Sequence, residues 1–150
     1  MKIYYREKSG GIEILRCFGM EGRVEIPGMI ENKLVISAAP YAFSSHMDEK
    51  EELKNASLWE VSDGLEFGRE EHVLAGNDVE EIVFPHTLKE IGRYIFYGCG
   101  NLKKLEFSDS LMQIGCGAFT GCHALEKLTV HMRQGKKSGV KEMLGEMWQR

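Results

Sequence analysis

The stretch that decides the fold is VEEIVFPHTLKEIGRYIFYGCGN, residues 79–101, which is followed without a gap by LKKLEFSDSLMQIGCGAFTGCHA, residues 102–124. The two halves are copies of one 23-residue unit, because seven positions are identical where average composition would give about one or two. The identical pairs are Phe84/Phe107, Leu88/Leu111, Ile91/Ile114, Gly92/Gly115, Phe96/Phe119, Gly98/Gly121 and Cys99/Cys122. A third copy begins at Leu125. Adjacent repeats of this length predict a solenoid, in which each unit stacks on its neighbours.

Each unit opens with a strand-like pattern. The apolar residues at its first, fourth and sixth positions are Val79/Ile82/Phe84, Leu102/Leu105/Phe107 and Leu125/Leu128/Val130. The last two of each set alternate with outward residues, which is typical of a short strand, and stacked units would pair these strands into a parallel sheet. The second half of the unit predicts another extended or turn-like segment that closes the coil. Gly92 and Gly115 are expected where the backbone curves tightly.

The unit is similar to that of a known family. The residues that carry the similarity are Ile82, Phe84, Pro85, Leu88, Ile91, Gly92, Phe96 and Cys99, then Leu102, Leu105, Phe107, Leu111, Ile114, Gly115, Ala118, Phe119, Cys122 and Leu125. In this respect the chain resembles the BspA-like leucine-rich repeats. The resemblance implies a repeat solenoid, mainly β with short helices, wound as a right-handed leucine-rich-repeat coil. It also implies binding rather than catalysis.

The pattern predicts one domain with five parts. Residues 1–23 are expected to form an N-terminal β-hairpin cap around Ser9-Gly10-Gly11, and residues 24–43 an irregular repeat. Residues 44–72 are interpreted as an insertion, residues 73–130 as regular repeats, and residues 131–150 as a tail and capping helix.

Local signals refine these parts. The spacing from Pro27 to Phe43 is five residues longer than that from Pro85 to Phe96, so the irregular repeat must bulge. Within the insertion, Ser45 is expected to N-cap a helix over about residues 46–55. Asp63-Gly64 fits a hairpin turn or a surface loop. Val73, which falls 23 residues before Phe96, indicates that the repeat register resumes before residue 79.

The tail is amphipathic. Its apolar residues recur at helical spacing, and they are Val140, Met143, Leu144, Met147 and Trp148. Such a helix could fold back over the last coil or meet a second subunit, giving a monomer or a weak homodimer through the C-terminal helix. The natural protein could also continue beyond Arg150.

Composition narrows the class of partner. The net charge is −4, with a pI near 5.8, whereas nucleic-acid and anionic-membrane surfaces need clustered Lys and Arg. Polar residues at the N-terminus and the lack of a long apolar run favour a cytoplasmic protein that binds neither nucleic acid nor membrane. The expected partner is therefore another protein of unknown identity.

The four cysteines are expected to be thiols. Cys99 and Cys122 occupy the same position of successive repeats, where a small thiol packs inward, while Cys116 is expected at the surface as the best candidate for modification. The histidines follow no metal-ligand or catalytic-triad pattern. No catalytic, metal-binding or cofactor-binding residue is predicted, and no cofactor.

Two kinds of surface remain as interaction candidates. On the strand face, charges stack as Glu80/Lys103/Glu126 and Glu81/Lys104/Lys127, so they largely cancel between coils. An aromatic row is missing from that face, and the opposite side offers Tyr94 and Tyr97. The better anchors are the side chains in the insertion and the tail, which are Trp59, Phe67, Met147 and Trp148.

The predicted function is a non-catalytic protein–protein interaction module. One rival hypothesis is that the chain is the N-terminal repeat portion of a larger protein whose function lies in a C-terminal region. A second rival is a thiol-dependent enzyme or redox sensor that uses Cys116 or Cys122.

Overall fold

A computed structural model describes residues 1–61, 71–132, 139–140 and 143–144. These residues form a mainly β solenoid of about five turns with few helices, as the repeat predicts. The strands are β1 (Lys2–Lys8), β2 (Gly11–Gly19), β3 (Arg23–Glu25), β4 (Met29–Ile30), β5 (Lys33–Ala38), β6 (Ser57–Glu60), β7 (His72–Val73), β8 (Glu81–Val83), β9 (Glu90–Ile91), β10 (Lys104–Ser108), β11 (Gln113–Ile114) and β12 (Lys127–His131). The helices with defined bounds are α1 (Glu49–Glu52) and one 3-10 turn (Gly76–Asp78), and Val140, Met143 and Leu144 in the tail are also helical.

The opening strand of each coil contributes to one sheet. Its order is β12-β10-β8-β3, and neighbouring strands are parallel. Lys104 lies opposite Glu81 on one side and Lys127 on the other, which confirms the predicted charge column. Leu105 lies opposite Ile82 and is fully buried, because the alternate residues of each strand face the core.

The second sheet closes the coils. Its order is β11-β9-β5-β2-β1-β6, with β4 paired to β5 and β7 paired to β2. β1 and β2 form the predicted N-terminal hairpin, in which Ser9 and Gly10 turn the chain with φ of 50° and 80°. β2 pairs in parallel with β5, so the hairpin extends the solenoid sheet. Its role as a cap stays a prediction.

Stacked phenylalanines fill the centre of the solenoid. Phe96 is fully buried, and its ring centroid lies 6.1 Å from that of Phe43 and 5.6 Å from that of Phe119. Phe84 and Phe107 stack at 4.8 Å in a second row. Each buried ring contributes about 1.5–3 kcal/mol relative to an exposed one. The aromatic positions of the repeat therefore make one continuous core.

The two repeat glycines serve close packing between coils. A Cβ atom on Gly92 would lie 2.3 Å from the backbone nitrogen of Pro40, and one on Gly115 would lie 2.1 Å from that of Arg93. Neither glycine has a positive φ. A left-handed backbone is therefore not what requires glycine at these positions, and the requirement is the near contact of neighbouring backbones.

The irregular repeat bulges as its spacing predicts. The extra residues form a hairpin in which Met29 pairs with Leu34 and Ile30 with Lys33. Glu31 and Asn32 make the turn, with φ of 49° and 63°. The chain then regains register, since Ser37 pairs with Glu90 and Ala38 with Ile91.

The insertion leaves the coil after Phe43. The chain rejoins the coil at Gly76, whose N–H donates to the carbonyl oxygen of Phe43 at 2.8 Å. This contact lies before residue 79, and the sequence predicts that the repeats resume before that residue. Phe43 itself stacks on Phe96, whereas Val73 pairs with Phe18 in an antiparallel ladder. The 23-residue spacing of Val73 from Phe96 therefore does not place it in the aromatic row.

The helix of the insertion is shorter than predicted. α1 contains four residues, and its N-cap is Asp48, whose carboxylate accepts the N–H of Glu51 at 3.2 Å. Capping by Ser45 is wrong because Asp48 offers a stronger acceptor directly before the acidic first turn.

The tail is described at four residues. Val140 and Leu144 are buried in the core cluster, and the N–H of Met143 donates to the carbonyl of Gly139 at 2.9 Å. The remainder of the predicted capping helix lies outside the described residues. Among the residues that are described, no helix has the length and apolar character needed to cross a membrane.

Candidate functional site

Four aromatic side chains from different parts of the chain surround one cleft. Tyr94 and Tyr97 come from a regular coil, Tyr41 from the irregular repeat and His46 from the start of the insertion. The cleft has a volume of about 450 Å³. We call these four residues the aromatic cleft.

The rings of the aromatic cleft contact one another in sequence. Tyr41 and Tyr94 stack with their centroids 5.6 Å apart, and Tyr94 meets Tyr97 edge to face at 5.8 Å. His46 meets Tyr97 edge to face at 4.8 Å. The three tyrosines are half-buried, so each ring is held by neighbours while part of it faces solvent. Because the rings meet at angles of 23°, 83° and 75°, they form walls and not a flat platform.

Two of these tyrosines adopt backbone conformations that L-amino acids avoid. Tyr41 has a φ of 60° and Tyr94 a φ of 51°, and the next coil has Gly117 with a φ of 66° at this position. The left-handed region costs a residue with a Cβ roughly 1–2 kcal/mol. Gly117 also leaves space for the ring of Tyr94, since a Cβ there would lie 2.2 Å from that ring. Strain of this kind is concentrated at functional sites.

A buried arginine positions the irregular coil beneath the cleft. Arg16 is 2% exposed, and its Nη1 donates to the carbonyl oxygens of Tyr41, Ala42 and Ser44 at 3.2, 3.2 and 2.6 Å. Its Nε donates to Glu49 of α1 at 3.1 Å. One guanidinium thus links the backbone at Tyr41 to the acidic helix, and its charge is balanced there.

A second cleft, of about 400 Å³, lies on the outer face of the closing sheet. Its floor is a column of polar residues in register on successive strands, which are Glu13, Ser37, Glu90 and Gln113. Met112 and Met143 also line it. We call this the polar cleft.

Glu13 is the buried charge of the polar cleft, at 1% exposure. It accepts hydrogen bonds from Arg6 Nε at 2.8 Å, Lys8 Nζ at 3.0 Å and Ser37 Oγ at 2.9 Å. Burial acts to raise its pKa, but these hydrogen bonds outweigh burial and lower the pKa below the ordinary carboxyl value. Glu90 is bound by Lys8 and Ser37 as well, so the cluster is internally satisfied. Its geometry is that of a structural ion-pair network.

The three cysteines of the regular repeats lie where the sequence predicts, and Cys17 is buried as well. Cys17, Cys99 and Cys122 are buried, and burial raises the pKa of each thiol to about 12. Such thiols are almost fully protonated at neutral pH and are poor nucleophiles. Cys116 is exposed, as expected from its repeat position.

The proposed anchors are not brought together within the described residues. Trp59 lies in β6, opposite Ile3 of β1, and is half-buried against the core. Phe67, Met147 and Trp148 lie outside the described residues. The structure instead brings Tyr41 and His46 to Tyr94 and Tyr97, which was not predicted. The signal was present in the sequence, since Tyr41-Ala42-Phe43 matches Tyr94-Ile95-Phe96.

In the described part of the chain, no group of three or more His, Cys, Asp or Glu side chains lies close enough to hold a metal ion.

Comparisons with known proteins agree with this architecture. A solved structure of a leucine-rich cell surface protein from Faecalibacterium prausnitzii aligns with 86% of this chain, at a TM-score of 0.56 and 19% identity. The chain spans 30% of that protein's length. A leucine-rich-repeat protein from T. pallidum aligns with 95% of this chain and 92% of its own, at 20% identity, but its TM-score of 0.35 supports no argument. No curated protein matches the sequence.

The repeat region matches a known family. The family described as the BspA type leucine rich repeat region (6 copies) matches residues 70–138. The match covers the two clean 23-residue units and three of the four strands of the parallel sheet, which are β8, β10 and β12. Over residues 70–138 the chain is therefore similar to the BspA-type leucine-rich-repeat family.

Proposed function

We propose that the chain is a non-catalytic protein-interaction module that binds its partner at the aromatic cleft. The observation that carries this proposal is the pair of strained tyrosines, Tyr41 and Tyr94. The next coil has a glycine, Gly117, at the same position and with the same sign of φ. Aromatic side chains are enriched at binding hot spots because they bury a large area with few rotatable bonds. A rigid repeat scaffold supplies the fixed geometry that such a site needs.

The partner is tested by affinity capture with two baits, the wild-type chain and Tyr97→Leu. A protein retained by the first and lost from the second is identified by mass spectrometry, purified and titrated by calorimetry. Saturable binding at a defined stoichiometry, with wild-type melting of the variant, supports the proposal. Equal capture by both baits, or rapid thiol-dependent turnover of an acyl substrate, contradicts it.

A second candidate is the repeat portion of a longer protein, which is favoured by the 30% share of the F. prausnitzii protein that this chain spans. If a longer natural product binds a partner that residues 1–150 do not, the site lies elsewhere. We further propose a cytoplasmic location, since free thiols are typical of reducing compartments. The F. prausnitzii protein is a cell surface protein, so fractionation of the native cells is the relevant measurement.

A further inference from the structure

We propose that the aromatic cleft binds a lysine or arginine side chain of the partner protein through its ring faces. This inference rests on the proposed function and specifies the chemistry of the partner. Three properties of the cleft favour such a ligand, and they are the orientation of its rings, the charges beside it and the rigidity of its backbone.

The ring orientation favours a compact cation. Tyr41 and Tyr94 are nearly parallel at 23°, but Tyr94 and Tyr97 meet at 83° and Tyr97 and His46 at 75°, so the walls of the cleft lie in more than one plane. The face of an aromatic ring carries negative electrostatic potential, which attracts an ammonium or guanidinium group within about 6 Å. A flat sugar ring or a planar base would instead favour parallel rings that leave one broad face open.

The neighbouring charges favour the same ligand. His46 lies two residues before Asp48, the N-cap of α1, and α1 adds Glu49, Glu51 and Glu52 against the single cation Lys50. Two residues span at most about 8 Å, which is comparable to the Debye length at physiological salt. Glu49 is paired with the buried Arg16, while the other three carboxylates are exposed. A cationic partner would therefore be attracted to this side of the cleft.

One charge opposes the ligand. Arg93 is exposed and precedes Tyr94 in the sequence, so it repels an incoming cation. Replacing Arg93 should therefore change the affinity in a direction that depends on the charge of the ligand. Arg93→Ala should increase the affinity for a basic ligand, whereas a cleft that binds an acidic ligand would lose affinity.

The backbone of the cleft is held before any ligand arrives. The N–H of Tyr41 donates to the carbonyl of Arg93 at 3.2 Å, and the N–H of Tyr94 donates to that of Cys116 at 3.0 Å. Arg16 holds the carbonyl of Tyr41 from below. Preorganised walls reduce the entropy lost on binding, so a single side chain can be recognised.

The test uses the full chain and two acetylated tripeptide amides, Gly-Lys-Gly and Gly-norleucine-Gly. The two differ in the ammonium group and are titrated while the tyrosine ring protons are followed by NMR. The lysine peptide should bind about 2- to 30-fold more tightly, as expected from a cation–π contribution of about 0.5–2 kcal/mol. Arg93→Ala should widen this ratio. Equal affinities, or stronger binding of maltose or of a proline hexamer than of the lysine peptide, would overturn the inference.

Variants separate this inference from the proposed function. Tyr97→Phe keeps the ring and should retain the lysine preference, while Tyr97→Leu should abolish it. Tyr4→Leu is the matched control, because Tyr4 is a half-buried tyrosine that does not line the cleft. Melting curves of all variants exclude unfolding as the cause. A purified partner whose binding depends on Tyr97 but shows no preference for lysine would refute the inference and leave the interaction module intact. If the chain binds the lysine peptide in the cleft but affinity capture finds no protein partner, the cation site is supported and the interaction module is refuted.

Discussion

The thiol of Cys99 donates a hydrogen bond to the carbonyl oxygen of Phe43 at 3.2 Å, from one coil of the solenoid to the coil before it. Cys122 repeats the contact one coil later, with the carbonyl of Phe96 at 3.4 Å. The repeated cysteine therefore binds a backbone oxygen that faces the core. The recurrence of cysteine at this position of the repeat therefore has a structural explanation, and a reactive thiol is not needed to account for it.

The first prediction concerns the reactivity of the cysteines. At neutral pH, iodoacetamide should label Cys116 first, because it is exposed, whereas Cys17, Cys99 and Cys122 are buried thiols with pKa values near 12. Mass spectrometry of peptides from the folded protein measures the order. Labelling in denaturant is the control and should reach all four residues. Rapid modification of Cys122 in the folded chain would revive the thiol-enzyme hypothesis.

The second prediction concerns the aromatic core. Phe96→Ala should lower the free energy of unfolding by about 3–5 kcal/mol, since the ring is fully buried between Phe43 and Phe119. Phe119→Ala should fall at the lower end of that range, because Phe119 is 7% exposed. Urea denaturation measures both, with Phe96→Leu as the control that retains most of the apolar volume. Melting of Phe96→Ala at the wild-type temperature is incompatible with this packing.

The regular part of the fold could be predicted because the repeat imposes a lattice. Once two units are aligned, Ile82 must lie opposite Leu105, and the inward direction of Phe96 and Cys99 follows from the need to bury one face of every coil. Local hydrogen bonding is less predictable. Asp48 caps α1 in place of Ser45. Both side chains are good N-cap acceptors and they lie three residues apart, so the sequence does not distinguish them.

The aromatic cleft was missed for a different physical reason. The hairpin around Glu31 and Asn32 changes the spacing of the irregular repeat, so Tyr41 does not fall on the 23-residue lattice of Tyr94. His46 enters from the insertion, which has no repeat pattern at all. Contacts between a regular coil and an interrupted one depend on the residue at which strand pairing resumes. In this chain pairing resumes at Ser37 and Ala38, which lie opposite Glu90 and Ile91.

The third prediction concerns the buried carboxylate of the polar cleft. Glu13→Gln should destabilise the fold at pH 7 by about 1–3 kcal/mol, because charge-assisted hydrogen bonds from Arg6 and Lys8 are weakened. The pKa of Glu13 is lowered in the folded state, so its contribution is present above the ordinary value of 4.5 and is lost as the pH falls through the folded value. The stability difference between wild type and Glu13→Gln should therefore shrink below about pH 4.

Denaturation at a series of pH values tests this dependence. Glu21→Gln is the matched control, since Glu21 is exposed and its replacement should change stability by no more than about 0.5 kcal/mol. A constant difference between wild type and Glu13→Gln from pH 7 to pH 2 would show that folding does not lower the pKa of Glu13, and it would contradict the prediction.

The fourth prediction concerns the close approach of the coils at the repeat glycines. Gly115→Ala should destabilise the fold by about 1–3 kcal/mol, because the added methyl group would lie 2.1 Å from the backbone nitrogen of Arg93 and the strands would have to separate. Gly28→Ala is the matched control, since its Cβ would meet its nearest neighbour at 3.8 Å and φ is not positive there. That substitution should leave stability unchanged or raise it by about 0.4–1 kcal/mol, because alanine restricts the unfolded chain. Thermal unfolding compares the two variants directly. Equal effects would contradict the prediction, because they would mean that the backbones beside the paired strands β9 and β11 are far enough apart to accept a methyl group at residue 115.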